Sequence, residues 1–331
     1  MRLLVLGGTE FVGRAVVEDA LERGWDVTVF HRGTRTAPPG AAVLHGDRLA
    51  EGGLAELEKG EWDAAVDTWS AAPRVVNESA LLLADRVGRY SYVSSCSVYA
   101  YPSDPGSDET WPTVRADPES DGTDYPADKR GGELAVEAVF GDRSLSARAG
   151  LVLGPHENIG RLPWWLNRIA RGGPFPAPGP ADLSIQYVDA RDLAAWTLDA
   201  TAARVSGPHN LVSPAGHATM GDLLAACVEV TGSDAEPVWL TPERIAEAGV
   251  EPWSQLPVWT PPGELHAALH DNDVSRALAT GLRCRPVAET VADTWEWLVS
   301  IGGIAPQRPD RPRVGLPDGA EERLLAGLTR D

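Results

Sequence analysis

The sequence predicts an α/β fold built on a parallel sheet, and three observations carry the prediction. Short apolar runs alternate with stretches of helical periodicity through the first half of the chain. A glycine-rich turn, GGTEFVG, joins the first apolar run to the first helical stretch. The 331 residues suffice for one large domain, or for a nucleotide-sized domain with a smaller companion.

Leu3 to Leu6 reads as a buried strand, and Val12, Ala15, Val16 and Ala20 then recur at helical spacing until Gly24 stops the helix. Further strands are expected at Val27 to Phe30, Ala41 to Leu44, Ala64 to Asp67 and Tyr90 to Ser94, with a helix near 74 to 87. A proline-rich, acidic loop at 102 to 122 precedes a helix from Tyr125 to Phe140, capped by Thr123 or Asp124. One more strand is expected at Leu145 to Leu153.

Beyond it glycine and proline become frequent and the alternation fades. Residues 1–154 and about 181–214 are therefore assigned to the sheet domain. About 155–180 and 215–303 form a smaller, mostly C-terminal substrate-binding region. Residues 304–331 form a proline-rich tail with a short closing helix.

The formal net charge of −19 opposes attraction to phosphate backbones and to anionic membranes, so neither nucleic acid nor a membrane is an expected partner. Cys96, Cys227 and Cys284 are too few and too scattered for a disulfide framework, and none has zinc-ligand spacing. No apolar run reaches membrane-spanning length. A cytoplasmic protein without a metal is expected.

Three motifs carry chemistry. A first strand that turns tightly into a helix aims the helix N-terminal N–H groups at a pyrophosphate, and Gly7 and Gly13 suit the turn and the close helix packing. Glu10 stands where a residue without a side chain would admit the phosphates. Tyr125 and Lys129 lie four apart on one helix face, where an ammonium stabilises a phenolate and makes the tyrosine a general acid/base. Only two lysines stand among 27 arginines, and a compact ammonium also holds ribose hydroxyls. In YSYVSSCSVYA a strand runs into serines, whose hydroxyls could meet a substrate oxygen.

Together GGTEFVG, SSCSVY, YPADK and RAGLVLGP resemble the short-chain dehydrogenase/reductase superfamily in its extended or atypical branch, often labelled NAD-dependent epimerase/dehydratase. The resemblance implies a Rossmann-like, doubly wound parallel sheet, a nicotinamide cofactor, and Ser95, Tyr125 and Lys129 as the catalytic trio. Ser95 is chosen because it lies four residues before Tyr99. GGTEFVG also looks like a subset with a GGTxFxG loop in which the middle glycine is often lost. Gly7, Thr9, Glu10, Phe11, Val12 and Gly13 then form the phosphate loop, with the N–H groups of Phe11 and Val12 on the phosphates and the Glu10 carboxylate turned to solvent.

Where NAD-selective relatives place an acid after the second strand, this chain has His31, Arg32 and Arg35, which leans the cofactor from NAD toward NADP. Asp47 resembles the family's adenine-contacting aspartate. Asp67 and Thr68 would lie near the nicotinamide ribose.

The resemblance has departures. Leu151 and Ile185 stand where the family's sugar-nucleotide enzymes carry the asparagine and the arginine that grip the substrate, and Cys96 and Ser97 replace a dehydratase's Asp-Glu pair. Cys96 reads as a buried thiol. Trp164, Trp165, Trp253 and Trp259 read as core that could also wall a ligand, and His266 and His270 as surface histidines. The expected activity is an NAD(P)-dependent oxidoreductase acting on a secondary alcohol or ketone of a small molecule, with a homodimer possible. The rivals are a nucleotide-sugar epimerase and a non-catalytic RNA-binding or scaffold relative.

Overall fold

A strand with apolar residues on both faces belongs in the middle of a parallel sheet. The computed structural model, which describes residues 1–304, 306–309 and 311–326, places Leu3 to Leu6 there. Strand β1 (Arg2–Leu6) is flanked by β2 (Asp26–His31) and β4 (Trp62–Asp67). With β3 (Ala42–His45), β5 (Val87–Ser95), β6 (Ser144–Ala149) and the strand Gly207–Leu211, they form a seven-stranded parallel sheet. Its order is Gly207–Leu211, β6, β5, β4, β1, β2, β3. The winding reverses between β1 and β4, which opens a crevice at the carboxyl ends of those strands.

Helices α1 (Phe11–Glu22) and α5 (Ala190–Ala202) cover one face, and α2 (Pro73–Leu83) and α3 (Tyr125–Phe140) the other. Of the two caps left open for α3, Asp124 is used: its carboxylate accepts from the Ala127 N–H at 2.9 Å.

Two expected elements end differently, for tertiary reasons. The helix drawn to 87 stops at Leu83, because the Trp62 N–H bonds to the Arg86 carbonyl and starts the pairing of β4 with β5. The strand drawn through Leu145 to Leu153 breaks after Ala149. A Cβ on Gly150 would lie 2.8 Å from the Val212 side chain, and Val152–Leu153 turns away to pair with Val188–Asp189.

A second core gathers around α4 (Arg161–Ala170), α6 (Met220–Thr231) and the helix Val287–Ser300. Trp165 and Trp259 are fully buried in it, while Trp164 and Trp253 are partly buried at its edge. The tail contributes Ala320 and Leu324 to this core, so its closing helix (Ala320–Leu325) is packed; residues 327–331 lie outside the described residues. His270, expected at the surface, is buried, with its ring held between the Gln186 backbone and the Val258 carbonyl. Among the described residues no helix is long and apolar enough to cross a membrane, and no cluster of metal-ligating side chains is present.

Candidate active site

Strand β1 leaves the sheet through Gly7, at φ +113°, and Gly8, at φ +83°, a backbone that only glycine adopts without strain. A Cβ on Gly13 would lie 2.6 Å from the Gly8 nitrogen, so α1 can approach the loop this closely only with glycine there. A Cβ on Gly7 would strike the Thr68 hydroxyl, which places Thr68 across the crevice from the loop. Phe11 opens α1 at φ +37°, a left-handed conformation that costs a non-glycine residue roughly 1 kcal/mol.

No side chain caps α1, which leaves the first-turn N–H groups of Phe11 and Val12 for a ligand beside the half-buried Thr9. The Glu10 carboxylate is exposed, caps none of those N–H groups and lies 3.2 Å from the Arg35 guanidinium. This glycine cradle fits a dinucleotide pyrophosphate.

At the end of β2, the His31 Nδ1 accepts from the Gly33 N–H at 3.1 Å, and its ring meets that of His45 edge-on at 4.9 Å. Burial, with His45 beside it, holds His31 below the usual imidazole range, so the ring is neutral at pH 7. Arg32 is exposed. Asp47 accepts from the Leu49 N–H at 3.0 Å in the turn after β3.

Asp67 is fully buried. One of its oxygens accepts from Arg48 at 2.7 Å and from the Trp69 N–H at 2.9 Å; the other accepts from Arg48 at 2.8 Å and from the Tyr90 hydroxyl at 2.7 Å. Burial alone would raise this carboxyl, but the Arg48 guanidinium holds it below the usual range. A carboxylate has about four acceptor positions, and the protein fills them all. Thr68, rather than Asp67, faces the glycine loop.

Strand β5 ends at the buried Ser95, whose Oγ accepts from the Ser97 N–H at 3.1 Å and donates to the Ser97 Oγ at 3.1 Å. Tyr125 is the first residue of α3, and Lys129 follows one turn later. The Lys129 amine is buried and donates to the carbonyls of Trp69 and Val93, both at 2.6 Å, at the ends of β4 and β5. It also lies 4.7 Å above the centre of the Tyr92 ring. Burial pushes its pKa down to about 7, with Arg308 and Arg311 adding to the fall and Asp67 and Glu133 opposing it. An ammonium has three donors, so one remains for a ligand hydroxyl.

Arg148 on β6 grips Glu133 of α3 through two hydrogen bonds of 2.8 and 2.9 Å and donates to the Tyr99 hydroxyl at 3.0 Å. Tyr99 in turn donates to Asn210 at 2.5 Å, which ties β6, α3 and the strand Gly207–Leu211 to the turn after Ser95. Burial alone would raise Glu133, but the bonds and charge of Arg148 hold it below the usual carboxylate range. The Cys96 thiol donates to the Arg148 carbonyl at 3.2 Å and is pushed up to about 12 by burial, so it is no nucleophile at pH 7.

The family model of the NAD dependent epimerase/dehydratase family matches residues 3–213. The chain belongs to that family. A search of the curated proteins found no match.

Among solved structures, this member of the family is similar to the Bordetella bronchiseptica enzyme WbmH in complex with NAD+, at 19% identity and a TM-score of 0.67, over 92% of this chain and 99% of that one. It is similar to a putative epimerase from Burkholderia cenocepacia, at 20% identity and a TM-score of 0.67, over 90% and 98%. It is also similar to the UDP-glucose 4-epimerase of Thermotoga maritima solved with UDP-glucose, at 18% identity and a TM-score of 0.65, over 91% and 99%. At these identities the likeness is one of fold.

The epimerase/dehydratase fold brings together further residues that the motifs did not single out. The tail crosses the second region: the Arg308 N–H bonds to the Asn158 carbonyl at 2.9 Å, and the Gly315 N–H to the Ser254 carbonyl at 2.8 Å. It carries Arg311 to 4.9 Å from the centre of the Tyr125 ring. Arg161, at the start of α4, lies 5.4 Å from the Trp253 ring centre, with Tyr125 and Arg311 in electrostatic reach. The only sequence signal was an arginine-rich run in a proline-rich tail, RPDRPR, which reads equally as a solvated segment.

Proposed function

We propose that this protein is an enzyme that uses NAD to transfer a hydride to or from the carbon of a secondary alcohol or ketone in a small molecule. The observation that carries the reading is Lys129, one turn after Tyr125, with its amine bonded to the Trp69 and Val93 carbonyls at the ends of β4 and β5. Open parallel sheets take ligands at this edge. NAD, when bound, supplies the hydride acceptor and donor.

The Tyr125 hydroxyl takes the proton from the substrate oxygen or returns it. The Lys129 amine, one turn along α3, keeps one donor for a ribose hydroxyl. The Ser95 hydroxyl orients the substrate oxygen. NAD is the cofactor bound in a solved neighbour, and the lean toward NADP weakens because Glu10 pairs with Arg35. The reading calls for a small-molecule partner, leaves a homodimer possible, and is at odds with nucleic acid on charge.

A second reading fits the neighbours at least as well: a nucleotide-sugar epimerase, in which the same residues oxidise and re-reduce one carbon. Against a sugar nucleotide, Leu151 and Ile185 are both buried in the second core, where they offer a diphosphate no polar group.

The test is to denature the purified protein, identify the released small molecules by mass spectrometry, and then follow nicotinamide absorbance with a panel of alcohols and ketones. Released NAD with a net absorbance change supports the oxidoreductase. Released NAD with inversion of a stereocentre and no net change supports the epimerase. A protein that releases no dinucleotide and binds none on titration contradicts both.

A further inference from the structure

The Arg161 guanidinium is packed by protein on nearly every side yet keeps solvent-reachable surface, as a residue lining a narrow cleft does. Among the described residues it makes no ion pair and no side-chain hydrogen bond; its contact is the face of Trp253. A buried charge without a partner is costly, and proteins keep one where a ligand completes it.

The nearest acid offsets the charge of Arg161 only in part. Glu157 is fully buried, and its two oxygens accept from the N–H groups of Arg161 at 2.7 Å and Leu162 at 3.1 Å, which caps α4. Burial holds Glu157 above the usual carboxylate range and Arg161 below the usual guanidinium range. Arg311 lies over the Tyr125 ring, and Gln307 and Val314 of the same tail lie against Gly160, next to Arg161. Arg161 and Arg311, from segments 150 residues apart, thus stand within electrostatic reach of each other and of Tyr125, and like charges this close favour an anion between them.

We propose that Arg161 and Arg311 bind an anionic group of the substrate, a carboxylate or a phosphate, beside the Tyr125 hydroxyl. The proposal rests on the reading of Tyr125 as the acid/base and narrows the substrate to a secondary alcohol or ketone with an oxyanion close to the reacting carbon. Guanidinium forks match both anions through paired N–H bonds. The site is built from α4 and the tail. It does not use the Leu151 and Ile185 positions, which are buried and apolar.

The test is calorimetric titration of NAD-saturated protein with inorganic phosphate and, separately, with acetate. Saturation with NAD removes competition from the glycine loop. Wild type is expected to bind at least one anion saturably. Arg161→Met should weaken that binding tenfold or more, Arg311→Met should weaken it several-fold, and Arg161→Lys should keep part of it. The anion that binds tells phosphate from carboxylate. If Arg161→Met does not fold, Arg311→Met and Arg161→Lys decide the matter.

Absence of saturable binding to wild type, or equal affinity in the arginine variants, overturns the proposal. The titrations are repeated without NAD. Failure of NAD itself to bind would sink the hydride-transfer reading while leaving an Arg161-dependent anion signal legible.

Discussion

The Glu10 carboxylate and the Arg35 guanidinium lie 3.2 Å apart, both exposed. The acid in the middle of GGTEFVG therefore pairs with Arg35 and makes no capping bond to the N–H groups that would meet a pyrophosphate. It also partly neutralises one of the two arginines that a 2′-phosphate would meet. An exposed pair of this kind contributes about 0–1 kcal/mol.

Glu10→Gly is accordingly expected to leave NAD affinity within a few fold and to lower stability by no more than about 1 kcal/mol, because glycine is acceptable at a helix N-cap. Calorimetry at two salt concentrations checks this. Tenfold tighter binding at low salt would mean that the carboxylate faces the phosphates.

Tyr125→Phe should reduce turnover by about a hundredfold or more while cofactor affinity stays within a few fold, since the hydroxyl moves a proton and does not hold the dinucleotide. Parallel measurements of kcat and of NAD binding separate the two effects. A variant that keeps roughly a tenth of the wild-type rate removes Tyr125 from the mechanism.

Lys129 titrates near pH 7 in the folded protein, against an ordinary value of 10.5. Between those values the unfolded chain binds the proton and the folded chain does not, so this group's contribution to stability rises with pH from about 7 toward 10.5. Turnover that needs the ammonium should instead decline as pH rises through about 7. Lys129→Met should flatten the rise in stability across that window as followed by urea unfolding. An unchanged slope in the variant would assign the rise to other groups.

Glu133→Gln leaves Arg148 buried without its anion, which is expected to cost about 3–5 kcal/mol. Glu133 titrates below its unfolded value, so its contribution is present above the unfolded pKa and lost as pH falls through the folded one. Denaturant unfolding of wild type and variant in acid and at neutral pH should show the gap between them closing in acid. A constant gap would argue against the ion pair as its source.

The parallel sheet and the helix that carries Tyr125 and Lys129 were legible in the sequence because both are local patterns. Leu3 to Leu6 declares a buried strand by its apolar run, and Tyr125 and Lys129 declare a shared helix face by their four-residue spacing. Gly7 and Gly13 were legible for the same reason, since a tight turn and a close helix approach demand glycine whatever lies elsewhere.

Only the tertiary structure decided how the remaining charges are used. Asp67 reads as a ligand-facing acid at a strand end until Arg48 is seen to occupy it, and His270 reads as a surface residue until Gln186 is packed on it. Arg161 and Arg311 are 150 residues apart and come within electrostatic reach of each other only because the tail packs against the start of α4. The orientation of Glu10 likewise depends on Arg35, which the chain reaches only after α1 and β2. The sequence by itself determines which elements form and which groups a turn or a helix face presents. Which buried charges pair, and which are left facing a cleft, depends on how distant segments pack, because the energy of a charge is set by its surroundings in space and not by its neighbours in the chain.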